Sequence, residues 1–253
     1  MNRIASTQST DANWKGLSKI GGTAALIIVL VALVELGVTF LPGGGGVGST
    51  MSVTDWFAFL QDNWFFGLRN LGLLNIVMTT LGIPMFFALY GAHRRTNGAY
   101  AALAMIIDFI AIAVFLATNR AFSMLALSQQ YAAAATDTQR LVLEAAGQAM
   151  LSVGQSHVPG TFMGFFLSEV AGILISLVML QSGIFSKVSA YTGILGFAFL
   201  LIFEVFASFV PTLSGLAMIF AVCGGLLSMA WYILIARRLF QLGQGASSES
   251  VSP

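Results

Sequence analysis

The sequence predicts an all-α fold, a polytopic membrane bundle of six transmembrane helices, and two observations support this class. Only 8% of the 253 residues are charged, 57% are hydrophobic and the mean hydropathy is +0.88, far from the composition of a soluble domain. Six continuous apolar stretches are each close to the roughly 20 residues that a helix needs to cross a bilayer. These stretches do not alternate between apolar and polar residues, so membrane-spanning strands are excluded.

The six predicted helices divide the chain into a transmembrane domain and two tails. They cover residues 20–41, 67–90, 99–118, 161–181, 188–210 and 213–236. Residues 1–19 are polar and form an N-terminal tail, and the small polar residues 239–253 predict a disordered C-terminal tail. The transmembrane domain therefore extends over residues 20–238.

The basic residues predict which side of the membrane each connection faces, because cytoplasmic loops are enriched in lysine and arginine. With the N-terminus inside, eight basic residues fall on the cytoplasmic side, namely Arg3, Lys15, Lys19, Arg94, Arg95, Lys187, Arg237 and Arg238. Three fall outside, namely Arg69, Arg120 and Arg140. We therefore expect a multi-pass protein of the plasma membrane with both termini in the cytoplasm.

The segment between helices one and two is more than a simple loop. The stretch DWFAFLQDNWFFGLRN mixes aromatic residues with charges, and its apolar members are Trp56, Phe57, Phe59, Leu60, Trp64 and Phe65. Tryptophan-rich amphipathic segments favour the headgroup level of a bilayer. We predict an interfacial amphipathic helix here, lying on the membrane surface.

The segment between helices three and four, residues 120–157, is long for a loop without structure. Its run YAAAATDTQRLVLEAAGQAML is rich in helix formers, and Thr136 or Asp137 is available as an N-cap. Arg140 and Glu144 stand at i, i+4 spacing, which supports a helix. We expect an outer helical hairpin that caps the bundle.

Four acidic residues lie inside the predicted spans and are the candidate ligand-binding or proton-binding groups. They are Glu35, Asp108, Glu169 and Glu204, on helices one, three, four and five. A carboxylate at the bilayer centre costs about 2.5 to 3.5 kcal/mol on insertion scales, so these side chains should face the bundle interior. Glu35 and Glu204 each precede a proline by seven residues, which places both roughly 10 Å below the outer boundary.

Two arginines are candidate partners for these acids, and one histidine is a separate candidate. Arg69 and Arg120 lie at the outer ends of helices two and three, within reach of the outer pair of acids. His157, at the outer start of helix four, is either a pH-sensitive group or a simple interfacial histidine. The acids are also explained as hydrogen-bonded groups that hold helices together, with Asn75, Thr79, Ser168, Ser176 and Gln181 as polar partners.

Several function classes find no support in the sequence. A net charge of +1 gives no basic surplus for binding nucleic acid. The single cysteine, Cys223, excludes an internal disulfide, and no Cys/His spacing suits a metal. There is no GxSxG, HExxH or P-loop motif, so no catalytic residue is assigned. The sequence leaves the cofactor open, and lipids of the membrane are the one partner it implies directly.

The outer insert also carries a family resemblance. Residues 118–151, TNRAFSMLALSQQYAAAATDTQRLVLEAAGQAML, resemble a bacterial family of six-helix membrane proteins known as domain of unknown function 4386. The spacing of the six spans is similar too, so the resemblance covers roughly residues 18–240. It implies a bacterial plasma membrane and a six-helix fold, and it assigns no activity.

Three functions remain open at this point. The first is binding or proton-coupled transport of a small cationic or amphiphilic solute in a cavity bordered by the four carboxylates. The second is an accessory or assembly subunit of a larger membrane complex, suggested by the aromatic surface stretch and the apolar hairpin. The third is a membrane-embedded lipid-modifying enzyme, for which Asp108 and Glu169 are the deepest acid/base candidates.

Overall fold

The computed structural model describes residues 2–39, 51–153 and 157–244, and all regular structure in these ranges is helical. Ten α-helices follow one another: α1 (Asn2–Thr39), α2 (Val53–Asp62), α3 (Trp64–Asn70), α4 (Leu73–His93), α5 (Gly98–Thr118), α6 (Ala121–Ala133), α7 (Asp137–Ser152), α8 (Phe162–Ser182), α9 (Lys187–Phe209) and α10 (Ser214–Gln244). A 3₁₀ turn, Pro211–Leu213, joins α9 to α10. The predicted all-α fold is confirmed.

Six of these helices form the membrane bundle. α1, α4, α5, α8, α9 and α10 are long and apolar enough to cross a membrane, as the sequence predicts. Each packs along the preceding helix of this series, and α10 also packs along α1, so the six helices close into a ring. The ring gives every span one face towards a common interior.

The two ends of the ring are built differently. At one end, which we call the terminal end, α1 meets the last turns of α10, and Gly243 packs against Lys15 and Lys19. The helices α2, α3, α6 and α7 pack together and form the cap. The cap lies at the other end of the ring, which we call the cap end. The cytoplasmic placement of the terminal end stays a prediction.

Two spans are longer than predicted. α1 begins at Asn2 rather than near residue 20, so the predicted tail is helical over residues 2–19. α10 continues to Gln244, so residues 239–244 are helical and the prediction of a disordered tail is wrong there. Neither segment contains a proline, and helix formers such as leucine and arginine let the helix continue beyond the apolar run. Residues 245–253 lie outside the described residues.

α4 starts later than predicted, at Leu73 rather than near residue 67. Gly72 has φ of +94°, a left-handed backbone conformation that residues with a side chain rarely adopt. The Asn119 side-chain amide donates a hydrogen bond to the Leu71 carbonyl oxygen beside it, at 3.3 Å. The chain therefore turns here, and the preceding residues form the separate helix α3.

Glycines allow close approach between the spans. A Cβ atom at Gly21 would overlap the side chain of Ala88 on α4. A Cβ atom at Gly193 would overlap Ser176 on α8 and Trp231 on α10. These contacts hold α1 against α4, and α9 between its two neighbours.

The cap has a small hydrophobic core of its own. Its buried members are Val53, Trp56, Phe57, Leu60, Leu68, Leu71, Ala121 and Met124. Trp56, Phe57 and Leu60 were expected to face lipid headgroups, and this is wrong because α6 and α7 cover them. Trp64 and Phe65 are exposed and remain available for an interfacial position.

α6 and α7 form the predicted helical hairpin. Thr136 caps α7, since its hydroxyl accepts the Gln139 amide hydrogen at 3.2 Å while the Gln139 side chain accepts from the Thr136 amide. Glu144 accepts a hydrogen bond from Tyr131 of α6 at 2.8 Å, which ties the two helices together. Within the described chain, Glu144 forms no ion pair with Arg140, although the spacing allows one.

Candidate functional site

A cavity of about 620 Å³ lies inside the ring, in the half nearer the cap. All six spans line it, over residues 28–36 of α1, 75–86 of α4, 108–115 of α5, 164–169 of α8, 197–203 of α9 and 221–232 of α10. Small-molecule pockets usually measure about 300 to 1,000 Å³. The ring therefore has room for a ligand.

The cavity wall is mostly apolar and carries a few polar groups. The polar members are Glu35, Asn75, Thr79, Asp108, His157, Ser168, Glu169, Ser228 and Tyr232. Three of them are acidic, and neither lysine nor arginine occurs among the lining residues. Apolar walls with a few convergent polar groups are typical of small-molecule sites, and this one favours a ligand with positive or hydrogen-bond-donating character.

Asp108 of α5 lies deep in the bundle and is only 3% exposed. Gly82 of α4 lies beside it, since a Cβ atom at that position would be in van der Waals contact with the carboxyl Oδ2 at 3.4 Å. Oδ2 is buried and has no hydrogen-bond partner among the described residues. One oxygen of this carboxyl group is therefore free to accept a hydrogen bond from a ligand.

Glu169 is on α8, which packs along α5, and it lines the same cavity. Its Oε2 is also buried without a hydrogen-bond partner in the described part of the chain. A buried polar group without a partner costs about 1 to 3 kcal/mol. Asp108 and Glu169 thus bring two incompletely bonded carboxyl groups to one cavity, and a ligand that donates to them would offset that cost.

Glu35 of α1 is paired with Arg69 of α3, as one of the sequence predictions proposes. The Arg69 Nη2 lies 2.8 Å from the Glu35 Oε1 and also donates to the Glu35 carbonyl oxygen at 2.9 Å. The arginine side chain is 5% exposed and the glutamate side chain 33%. The pair stands at the junction between the cap and the cavity.

Glu204 of α9 is paired with His157, a contact that the sequence analysis does not anticipate. The His157 Nδ1 lies 2.5 Å from Glu204 Oε2, and Ser208 donates to Oε1 at 3.4 Å. The imidazole ring also packs between Phe165 and Phe203, with ring centroids 4.4 and 4.7 Å away. His157 lines the cavity while Glu204 lies behind it, so this acid reaches the cavity only through the histidine.

Arg120 does not take the role predicted for it. It precedes α6, and its side chain is buried, yet it forms no ion pair with an acid among the described residues. Its Nε has no hydrogen-bond partner there either. The two outer acids are occupied by Arg69 and His157, which leaves Arg120 without a carboxylate to bind.

The proposed polar partners of the acids divide into two groups. Asn75, Thr79 and Ser168 line the cavity as expected. Ser176 instead donates to the Gly172 carbonyl oxygen, and Gln181 accepts from Asn97 near the terminal end. Sequence reasoning missed two other lining residues, Ser228 and Tyr232. Both carry a hydroxyl group on an otherwise apolar span, at the depth of the acids, and this feature of the sequence could have identified them.

A metal site is not formed by the described side chains, since no three His, Cys, Asp or Glu residues there are grouped closely enough to hold an ion. The arrangement instead offers two carboxyl groups on an apolar wall, with two occupied pairs nearer the cap. Such a site can bind a cation or exchange a proton, because both compete for the same carboxyl oxygens.

Comparison with protein families supports the membrane fold. The family described as domain of unknown function 4386 matches residues 38–236, which is about four-fifths of the chain and includes four of the six spans completely and most of α10. Comparisons with curated proteins and with solved structures find no match. The match agrees with the resemblance seen in the outer insert, and its description assigns no activity.

Proposed function

The chain belongs to the family of domain of unknown function 4386, and we propose from its cavity that it binds a small lipophilic or amphiphilic cation inside the membrane. Asp108 and Glu169 are the groups that bind the positive charge. The ring of six spans supplies the apolar surroundings, and the cap covers one end. Exchange of the ligand for protons on these carboxyl groups would couple binding to the proton gradient.

One observation carries this proposal. Asp108 and Glu169 each turn a buried carboxyl oxygen without a hydrogen-bond partner to one cavity of about 620 Å³. Arg69 and His157 are already engaged by Glu35 and Glu204, and neither lysine nor arginine occurs among the residues that line the cavity. A ligand cation is therefore the natural partner for the two remaining acids.

The apolar wall sets the second requirement on the ligand. Phe86, Phe165 and Phe197 line the cavity on three different spans, with further aliphatic side chains between them. Aromatic faces attract cations, and apolar walls favour a ligand that loses little hydration on entry. A hydrophobic ammonium or phosphonium ion fits both requirements, whereas a small hydrated metal ion fits only the first.

The test is equilibrium binding of radiolabelled tetraphenylphosphonium to the purified protein in lipid nanodiscs. Asp108→Asn and Glu169→Gln should each weaken binding by roughly tenfold to a hundredfold, the equivalent of about 1.5 to 3 kcal/mol for a charged hydrogen bond. Asp62→Asn is the matched control, because Asp62 is exposed at the end of α2, and it should bind as the wild type does. Unchanged binding in both cavity variants would refute the proposal.

Proton coupling needs its own measurement. In proteoliposomes, uptake of the same cation should depend on an imposed proton gradient, and this dependence should be lost in Asp108→Asn and in Glu169→Gln. Uptake by the wild type that ignores the gradient would remove the coupling from the proposal and leave binding intact.

An accessory subunit of a membrane complex is the second candidate. Leu141 and Val142 on α7 are each 65% exposed at the cap, where a partner could cover them. Native mass spectrometry of the protein extracted gently from its own membrane separates the two candidates. A stoichiometric protein partner supports the subunit, and a lone chain or a chain with one reproducible small-molecule mass supports the binding protein.

A further inference from the structure

The cavity wall between α1 and α10 is tight at the terminal end. A Cβ atom at Gly22 of α1 would lie 3.2 Å from the Ala236 carbonyl oxygen of α10, and one at Gly243 would lie 3.0 Å from the Lys15 carbonyl oxygen. These are backbone-to-backbone approaches that leave no space between the two helices. The seam between α1 and α10 is therefore sealed in this half of the ring.

Nearer the cap, the same seam is open. Gly37 of α1 and Gly225 of α10 have no atom within 4 Å of the position that a Cβ would take. Ile28 is the last buried residue of α1, and every described side chain from 29 to 38 is at least partly exposed. The two helices therefore diverge towards the cap, although both belong to the closed ring.

Residues at this opening belong to the cavity and to the outer surface at once. Leu36 on α1 and Val222 and Leu226 on α10 line the cavity, yet they are 54%, 55% and 61% exposed. A side chain that lines an enclosed cavity on all sides would be buried. The cavity therefore continues through the gap to the surface that the bundle turns towards lipid.

We propose that the gap between α1 and α10 is a lateral portal, through which an amphiphile with a cationic head and an alkyl chain enters the cavity from the membrane. This inference rests on the proposed function and adds the ligand class and its route. The alkyl chain would lie between Leu36, Val222 and Leu226. The head would reach Asp108 and Glu169 inside.

The chemistry of the rim favours a membrane-dissolved ligand over one from water. The three rim side chains are aliphatic, and they belong to the helical segments that are apolar enough to cross the hydrocarbon core. A strongly hydrated solute would lose its hydration there, and the carboxylate next to the rim, Glu35, is already paired with Arg69. At the cap, in contrast, the described helices are held together by a packed aromatic core around Trp56 and Phe57.

The portal can be tested with a photoactivatable octadecylamine dissolved in the bilayer of nanodiscs that contain the full chain. After illumination at increasing times, mass spectrometry measures labelling of the inner wall at Phe197 and Phe165. Leu226→Trp and Val222→Trp place larger side chains at the rim and narrow the opening. Each should slow labelling on the order of tenfold. Ile219→Trp is the matched control, since Ile219 is 60% exposed on the same helix and does not line the cavity.

The outcomes separate the portal from the proposed function. Slower inner-wall labelling in both rim variants, with the wild-type rate in Ile219→Trp, supports the portal. Equal rates in all four proteins would overturn it, while binding at Asp108 and Glu169 would stand. If tetraphenylphosphonium binds but the bilayer-dissolved amine never labels the inner wall, the portal also fails alone. If neither probe reaches the cavity, the proposed function fails with it.

Discussion

The Arg69 guanidinium contacts Glu35 at two atoms, the carboxylate Oε1 at 2.8 Å and the carbonyl oxygen at 2.9 Å. One residue belongs to the cap and the other to the first span, so a single side chain ties the cap to the ring. Its Nη1 also donates to Asn70 at 3.0 Å, which fixes the direction of the guanidinium plane. A ligand cation would therefore compete with Arg69 for the Glu35 carboxylate.

Removing this arginine should destabilise the protein more than neutralising the glutamate. Arg69→Met loses both hydrogen bonds and leaves a carboxylate without its cation, at a cost of about 1 to 3 kcal/mol. Glu35→Gln keeps the bond to the carbonyl oxygen and an amide oxygen near the guanidinium, so its cost should be smaller. Thermal unfolding in detergent measures both. Arg140→Met, on the exposed face of the cap, is the control and should unfold like the wild type.

The contact between His157 and Glu204 predicts that their contributions to stability are coupled. His157→Phe keeps the aromatic packing against Phe165 and Phe203 but leaves the buried Glu204 carboxylate with only Ser208 beside it. We expect His157→Phe to cost about 1 to 3 kcal/mol of unfolding free energy in the wild type and much less in a Glu204→Gln background. Denaturant unfolding of the two single variants and the double variant gives the coupling energy. If the costs of the two single variants simply add up in the double variant, the contact between His157 and Glu204 contributes nothing to stability.

Sequence reasoning was strongest for features that depend on short stretches of chain. Continuous apolar runs identify the six spans, and an N-cap such as Thr136 with helix formers after it identifies the hairpin. The pairing of Arg69 with Glu35 was also within reach, since the sequence places both near the outer ends of the first two predicted spans. Local signals of this kind are sufficient because an apolar run in a bilayer must form a helix. The position of a residue along that run then fixes its depth in the membrane.

Other features depend on how each span is rotated about its axis, and the sequence does not encode this locally. A span that is apolar all round gives no pattern that marks its inner face. The contact between His157 and Glu204 joins residues 47 positions apart and follows from that rotation. The burial of Arg120 and the gap between α1 and α10 have the same origin. These three features depend on how all six spans pack together in the ring.

The start of α2 predicts a pH-dependent contribution to stability. Asp55 accepts hydrogen bonds from the Ser52 hydroxyl at 2.6 Å and the Ser52 amide at 3.0 Å, and these bonds hold the pKa of Asp55 below its usual value of 3.8. A carboxyl group whose pKa is lower in the folded state stabilises the fold above the unfolded-state pKa, and the contribution is lost as the pH falls through the folded-state pKa. Asp55→Asn should therefore unfold at a lower temperature than the wild type at pH 7.

The measurement for this capping box is the difference in unfolding temperature between wild type and Asp55→Asn from pH 7 down to pH 3. The difference should be small and constant at the upper end and should shrink below about pH 4, near the ordinary pKa of an aspartate. Asp62→Asn, at the other end of α2, is the control and should show no such trend. A difference that grows on acidification would contradict the assignment.

Close packing around Gly193 gives the last prediction. A Cβ atom there would overlap the Ser176 hydroxyl and the Trp231 indole, so Gly193→Ala must push α9 away from its neighbours. Overpacking of this kind costs about 1 to 3 kcal/mol. Gly215→Ala is the matched control, because Gly215 lies in α10 with nothing within 4 Å of its added Cβ. Thermal unfolding of the two alanine variants should separate them clearly. If Gly193→Ala matches Gly215→Ala, the helices are not held together by this contact, and the ring around the cavity is looser than its geometry indicates.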